Sequence, residues 1–244
     1  MSLVSIIMPS YNSQDTIALA IKSVIEQSYT NWELLIVDDC STDLTFNIIN
    51  SFSDSRIKTY RLHENSGSPA VPRNLAIDNA QGSYIAFLDA DDSWEPNKLL
   101  LQLNAMKKSN ALASHGSYRR VKNGETISYV FPPGLVTYEM MLKSNYIGNL
   151  TGIYNCKLLG KFYQKKIGHE DFEMWLRILT KTDSIGVLDP IASYSVSEFG
   201  VSANKFKSSL WHYNILRNEA GLSVLKALYY YFSYVFIAIL KRVL

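Results

Sequence analysis

The sequence predicts an α/β protein built on a doubly wound, mostly parallel sheet. Two observations carry that prediction. Short apolar runs alternate with helical patterns through about the first 110 residues, and polar clusters follow the strand ends at 9–12, 38–39 and 89–92. Alternation of this kind gives parallel strands joined by right-handed crossovers. Such sheets bind ligands beyond the carboxyl ends of their strands.

Each element has a local cause. Leu3–Met8 is an apolar run stopped by Pro9, which reads as a buried strand. Ile17, Ala20, Ile21, Val24 and Ile25 share one helical face, entered through the capping candidates Ser13 and Asp15. Trp32–Val37 is a second strand ending on Asp38-Asp39, and the polar turn Ser41-Thr42-Asp43 leads to a helix carrying Phe46, Ile48, Ile49 and Phe52. Ile57–Leu62 alternates as a third strand, 64–72 is a turn-rich loop, and 73–80 is helical. Tyr84–Leu88 is a fourth strand ending on Asp89-Ala90-Asp91-Asp92, followed by a helix from about Pro96 to Lys108 with proline near its first turn. Beyond 110 the pattern loosens, with strands expected at Leu112–Arg119, Ile127–Phe131 and Ile185–Leu188 and a helix around Glu170–Thr180.

Composition narrows the class. With 244 residues, 47% hydrophobic and 19% charged, the chain can bury a sizeable core and is not disordered. Two cysteines, Cys40 and Cys156, cannot form a disulfide framework, and histidines at 63, 115, 169 and 212 share no metal-ligand spacing. The N-terminus lacks a positively charged n-region, so it does not read as a signal peptide. No apolar run reaches the ~20 residues that a spanning helix needs. These features suggest a cytoplasmic enzyme.

The net charge of +2 hides an asymmetry. Residues 201–244 hold six basic residues (Lys205, Lys207, Arg217, Lys226, Lys241, Arg242) and one acid, Glu219, so residues 1–200 are net acidic. In that tail Leu225, Leu228, Phe232, Val235, Phe236 and Ile239 share one helical face, with Lys226, Tyr230, Tyr234 and Lys241 on the other. This pattern suits an amphipathic helix on an anionic membrane surface, with packing on the domain as the rival explanation. Its basic residues are too sparse for nucleic acid.

The first glycine is Gly67, so the first strand-to-helix turn, Pro9-Ser10-Tyr11-Asn12, cannot be a P-loop or a dinucleotide fingerprint. A diphosphate bound there needs a metal or side chains to meet its charge. Asp89, Asp91 and Asp92 crowd one strand end, an arrangement that a divalent cation relieves, although acids before a helix also serve as caps.

Four motifs in order, Ser5-Ile6-Ile7-Met8-Pro9-Ser10-Tyr11-Asn12, Glu33-Leu34-Leu35-Ile36-Val37-Asp38-Asp39-Cys40-Ser41-Thr42-Asp43, Arg73-Asn74 and Phe87-Leu88-Asp89-Ala90-Asp91-Asp92, resemble a family 2 glycosyltransferase of the GT-A fold. Gly168-His169-Glu170-Asp171 with Trp175 resembles the family's later acidic motif. Cys40 departs from the pattern, where glycine is more usual. The resemblance implies an inverting transferase that moves a hexose from a UDP-sugar with Mn²⁺ or Mg²⁺. Carried over, Pro9 and Tyr11 would hold the uracil and Asp39 would accept from its N3–H. Arg73 would reach the base or the diphosphate, Asp89 would face the ribose, and Asp91 would bind the metal with Asp92 alongside. Asp171 would be the general base with Glu170 its neighbour, while Asp38 and Asp43 shape the turn.

His169 has a metal or pyrophosphate role open to it and a structural one. Trp175 and Arg177 are open between acceptor wall and ordinary packing. Members with such tails often extend a sugar on a polyprenyl-diphosphate lipid in O-antigen or capsule assembly, which implies a peripheral place on the inner membrane face. The expected organisation is a catalytic domain over 1–200, divided into a nucleotide-sugar half (1–110) and an acceptor half (111–200), and a membrane-associating tail over 201–244. A non-catalytic sugar-nucleotide-binding assembly subunit is the alternative. A nucleotidyltransferase is disfavoured because its glycine-rich basic loop is missing.

Overall fold

A computed structural model describes residues 2–196 and 205–243, with the side chains of 205–207 and 241–243 left out. The charges of Lys205, Lys207, Lys241 and Arg242, and residues 197–204, therefore lie outside the described residues. Strands β1 (Val4–Ser10), β2 (Trp32–Asp38), β3 (Ile57–Arg61) and β4 (Tyr84–Phe87) alternate with helices α1 (Ile17–Ile25), α2 (Thr45–Asn50) and α3 (Ala70–Asn79). They pair in parallel in the order β3-β2-β1-β4, as the alternation predicts.

The edge strand β3 keeps the alternation of Ile57–Arg61 and is half-buried, whereas the central strands β1, β2 and β4 are covered on both faces and mostly apolar. The period of two still divides them. Ile7, Leu35, Val37, Ile85 and Phe87 enter one core, while Ile6, Met8, Leu34, Ile36 and Ala86 enter the other.

Several boundaries differ from expectation for identifiable reasons. β1 runs through Pro9 to Ser10. Ser10 bonds β2 through Asp39 N–H, and Ile7 bonds the β4 side through Leu88 N–H, so Pro9 has Ile7's orientation, and its missing N–H falls past the end of β4. Helix α3 begins at Ala70, with Pro72 in the first turn, where backbone N–H groups have no helical partner. Helix α1 has no side-chain cap. Ser13 contributes its carbonyl to Thr16 and Ile17 N–H, while its hydroxyl donates to the Tyr11 carbonyl.

The second half adds β5 (Ser93–Trp94), α4 (Lys98–Ser109), the hairpin β6 (Ala113–Lys122) and β7 (Glu125–Val130), β8 (Leu135–Val136), α5 (Tyr138–Lys143), β9 (Ile153–Tyr154), α6 (Cys156–Leu159), α7 (Glu170–Leu179) and β10 (Ser184–Ser195). The sheet continues from β4 as β9-β6-β10-β5, with β9 antiparallel to both neighbours and β10 parallel to β6. Strand β10 extends past the expected Leu188 because its pairing shifts register between Val187, Pro190 and Ala192, which carries it past the proline.

After the undescribed segment come α8 (Lys205–Asn214), a π-helical turn over Ile215–Glu219, and α9 (Val224–Val243). Ile215, Leu216 and Ala227 are buried in the same core as Phe172 and Trp175, with Tyr230 and Tyr231 against it. The tyrosine-bearing side of α9 therefore faces protein. Leu225, Phe232, Phe236 and Ile239 of the expected apolar stripe are exposed, whereas Leu228 and Val235 are half-buried. Among the described residues no helix is long and apolar enough to cross a membrane.

Candidate active site

The carboxyl end of β4 meets the start of α7 around a buried cation, Arg73 of α3, 6% exposed. Its Nη2 donates to Asp89 Oδ1 at 2.5 Å, and its Nη1 donates to Gln164 Oε1 at 3.0 Å and lies 3.8 Å from Glu170 Oε1. Burial works against the guanidinium charge, but Asp89, Glu170 and Asp171 together hold its pKa above the ordinary arginine value. Burial, opposed in part by Arg73 and reinforced by Asp171 and Asp89, raises the Glu170 carboxyl. Arg73, Asp89, Glu170 and Asp171 thus form one electrostatic unit drawn from motifs nearly 100 residues apart.

The three aspartates after β4 have separate fates. Asp89 is held by Arg73. Asp92 is buried and accepts from Ser195 N–H at 2.8 Å, which ties the loop to the end of β10. Burial, then Asp91 and Asp89, push its carboxyl well up. Asp91 is exposed at the surface, and desolvation, followed by Asp89, raises its carboxyl to about 6. Among the described residues no three His, Cys, Asp or Glu groups form a ready metal cage. The donor set fits Mg²⁺ or Mn²⁺ held by a single carboxylate, Asp91, with the rest of the shell from phosphate oxygens and water.

At the end of β1, Pro9 lies within the strand and Tyr11 is 48% exposed just beyond it. Asp39 is buried and accepts from Ser66 N–H and Ser66 Oγ, both at 2.9 Å. It therefore tethers the 64–69 loop while retaining lone pairs for a further donor. Asp38 is fully buried, accepts from Ser41 N–H and Ser41 Oγ, and pairs with Arg61 at 3.2 Å. Asp43 accepts from Gln14 and Thr45 N–H. Both shape the turn, as the sequence suggests. Cys40 has φ +60°, the left-handed conformation that explains why glycine suits this position.

The α7 motif divides likewise. Glu170 and Asp171 open the helix, where its dipole favours acids. Trp175 is fully buried, edge-on to Phe87 and Tyr154, with its Nε1 donating to Asn149 Oδ1 at 3.3 Å. A Cβ on Gly152 would come within 2.0 Å of its ring. Arg177 forks onto Glu173 at 2.7 and 2.8 Å. Trp175 is thus a core residue, and Arg177 is the partner of buried Glu173. His169 has φ +60° and lies against Trp211.

Gln164 is the site residue that sequence reasoning missed. It is buried, receives Arg73, and its backbone exchanges hydrogen bonds with Asn74 at 2.8 Å in both directions. Nothing in the irregular stretch around it distinguishes it from any other loop glutamine. Tyr118 and Tyr194 also face the site. Burial raises both phenols, reinforced for Tyr118 by Tyr194 and then Asp92 and Asp171, and for Tyr194 by Asp92, Asp91 and Asp89; Tyr118 reaches about 12.

Comparison with known proteins supplies the family. The chain is similar to the UDP-Glc:alpha-D-GlcNAc-diphosphoundecaprenol beta-1,3-glucosyltransferase WfgD of Escherichia coli, at 39% identity covering 98% of this chain and 95% of that protein. It is also similar to the putative teichuronic acid biosynthesis glycosyltransferase TuaG of Bacillus subtilis, at 37% identity covering 98% and 97%. Among solved structures, S. aureus TarS 1–349 in complex with UDP-GlcNAc matches with a TM-score of 0.74 at 21% identity, over 96% of this chain and 72% of that one, a likeness of fold. A model of glycosyl transferase family 2 matches residues 5–201. With its motifs gathered at one set of strand ends on a GT-A fold, the chain belongs to glycosyl transferase family 2 and is a glycosyltransferase.

Proposed function

We propose that the protein is an inverting, metal-dependent transferase that moves glucose from UDP-glucose to a sugar on a polyprenyl-diphosphate lipid, at the inner face of the membrane, in surface polysaccharide assembly. One observation carries the site reading: buried Arg73 joins Asp89, at the end of the nucleotide half, to the Glu170–Asp171 start of α7. The donor and acceptor ends of the reaction are thereby built around one cation. The choice of glucose and of a lipid-linked acceptor is supported by the names of two relatives, WfgD and, at 36% identity over 89% of this chain, WfaP of Escherichia coli.

In this mechanism Pro9, Tyr11 and Asp39 receive the uracil, Asp89 faces the ribose, and Arg73 sits behind it, close to the diphosphate. Asp91 would hold the cation, which when bound offsets charge on the leaving diphosphate. Asp92, anchored to Ser195, fixes the loop that presents Asp91. The acceptor hydroxyl oxygen forms a bond to C1 of the sugar as the C1–O bond to UDP breaks. Its proton passes to the Asp171 carboxylate. Attack opposite the leaving group inverts an α-linked donor to a β-linkage.

The exposed apolar row of α9, Leu225, Phe232, Phe236 and Ile239, supports peripheral seating on a bilayer that holds the acceptor. Transfer from UDP-[¹⁴C]glucose to a synthetic GlcNAc-diphosphate-lipid with Mn²⁺ tests the proposal. Labelled lipid that disappears in Asp91→Asn is expected. Mn²⁺-dependent UDP binding without turnover would instead favour a non-catalytic subunit.

A further inference from the structure

The family match ends at residue 201, yet elements beyond it touch the start of the helix that carries Glu170 and Asp171. Trp211 of α8 stands edge-on to His169, with centroids 5.4 Å apart. It lies so close to Gly168 that a Cβ there would come within 2.0 Å of the indole. The next residue, His212, is buried, stacks on Phe172 at 4.7 Å, and has Nε2 3.2 Å from the Leu142 carbonyl. Tyr234 of α9 stacks on His212 at 4.0 Å. Lys165 adds a third tie, pairing with Glu173 of α7 at 3.4 Å and with Glu219 beyond α8.

We infer that Trp211 and His212 are positioning residues for glycosyl transfer: α8 holds the Gly168–His169 turn and so sets where Asp171 reaches. His169 adopts a left-handed backbone, φ +60°, which is strained for a non-glycine residue and persists only where packing over-determines it. The Trp211 ring supplies packing on this turn, and only Gly168 admits it so closely. The next two residues are Glu170 and Asp171, so a loosened turn moves the carboxylate that takes the acceptor proton. A displacement of about 1 Å at such a group is enough to cost on the order of a hundredfold in rate. The contact also joins α9, with its outward apolar row, to the α7 start through Tyr234, His212 and Phe172.

The inference rests on the proposed role of Asp171, and the test separates the two. Steady-state transfer from UDP-glucose to the GlcNAc-diphosphate-lipid is measured on the full chain for Trp211→Ala, Trp211→Phe, Gly168→Ala, Ser209→Ala and Asp171→Asn, with melting temperatures. Ser209 joins α8 to α9 through the Tyr231 hydroxyl at 2.8 Å, so Ser209→Ala controls for general loosening of the tail. Trp211→Ala should lower kcat about tenfold or more with KM for UDP-glucose within about twofold, Trp211→Phe should recover most of it, and Ser209→Ala should keep it. A folded Trp211→Ala with parental kcat overturns the inference. Should Trp211→Ala not fold, Gly168→Ala decides in its place, because a Cβ there would come within 2.0 Å of the indole and push it off the turn, whereas His169→Gly also relieves the strain that the packing opposes. Lowered kcat is then expected, and parental kcat overturns the inference. Full activity in Asp171→Asn sinks the base assignment itself. An inactive Asp171→Asn beside fully active Trp211→Ala and Gly168→Ala removes the positioning role alone.

Discussion

Arg73 Nη2 and Asp89 Oδ1 lie 2.5 Å apart, one on the buried side of α3 and the other at the end of β4. This ion pair neutralises one of three crowded carboxylates and leaves Asp91 as the exposed one. Removing the cation would leave Asp89 and Glu170 facing each other with no countercharge. Arg73→Met should therefore destabilise the fold by about 3 kcal/mol, the usual cost of breaking a buried pair, and weaken UDP binding. Chemical denaturation and calorimetric titration with UDP read both effects, and unchanged values in both would contradict this role.

Asp91 and Asp92 separate in the same experiment. Asp91→Asn should abolish the Mn²⁺ dependence of UDP binding without lowering the melting temperature, because it removes a charge that desolvation and Asp89 disfavour in the fold. Asp92→Asn should retain Mn²⁺ dependence, since its carbonyl oxygen still accepts from Ser195 N–H. The reverse pattern would make Asp92 the ligand.

Stability should fall with acid through two histidines. Burial lowers His115 and His212 to about 4, so both are neutral in the fold. The unfolded chain takes up a proton on each near pH 6.5, so their contribution is whole above that pH and declines between 6.5 and about 4. At pH 5 each should cost roughly 2 kcal/mol relative to neutral pH. Urea unfolding at pH 7.5 and 5.0, comparing the parent with His115→Asn and His212→Asn, isolates this contribution, because the raised Asp91, Asp92 and Glu170 carboxyls move the parent in the opposite direction. Variants with the parent's pH dependence would count against buried neutral imidazoles.

Cys40→Gly should stabilise the protein slightly. Relief of the left-handed strain, about 1–2 kcal/mol, is offset in part by the roughly 0.5–1 kcal/mol of backbone entropy that glycine loses on folding. A gain of up to about 1 kcal/mol by urea unfolding, with transfer activity intact, is the expected result.

The parallel half was legible in the sequence because β1, β2 and β4 are buried apolar runs closed by polar strand ends, β3 alternates, and Tyr11, Asp39, Asp89, Asp91 and Asp92 occupy those ends. Asp38 and Asp43 follow the same logic, since short side chains at a turn bond the nearby backbone. Past residue 110 local pattern loses its hold. The Asn123-Gly124 hairpin turn, with both residues at positive φ, is a strong local signal that the apolar pattern around β6 and β7 obscures. Gln164 was illegible because its role comes from Arg73, 91 residues away. The tail's periodicity was readable but its orientation was not. Tyrosines at 230, 231 and 234 have enough apolar surface to pack on the domain, and they take the protein side.

If the outward row of α9 seats on lipid, Phe232→Asp with Phe236→Asp should release the protein from anionic vesicles without unfolding it, since the two rings are 64% and 62% exposed. Co-sedimentation with phosphatidylglycerol vesicles measures this, and undiminished binding would return the row to ordinary surface.

The central claim is that Asp171 takes the proton of a lipid-linked acceptor attacking a UDP-sugar. Single-turnover transfer from UDP-glucose to the GlcNAc-diphosphate-lipid, comparing the parent with Asp171→Asn at saturating Mn²⁺, tests it most directly. A fall of about 10²–10⁴-fold in the transfer rate, with UDP-glucose affinity unchanged, is the predicted result. Transfer at the parental rate would contradict it.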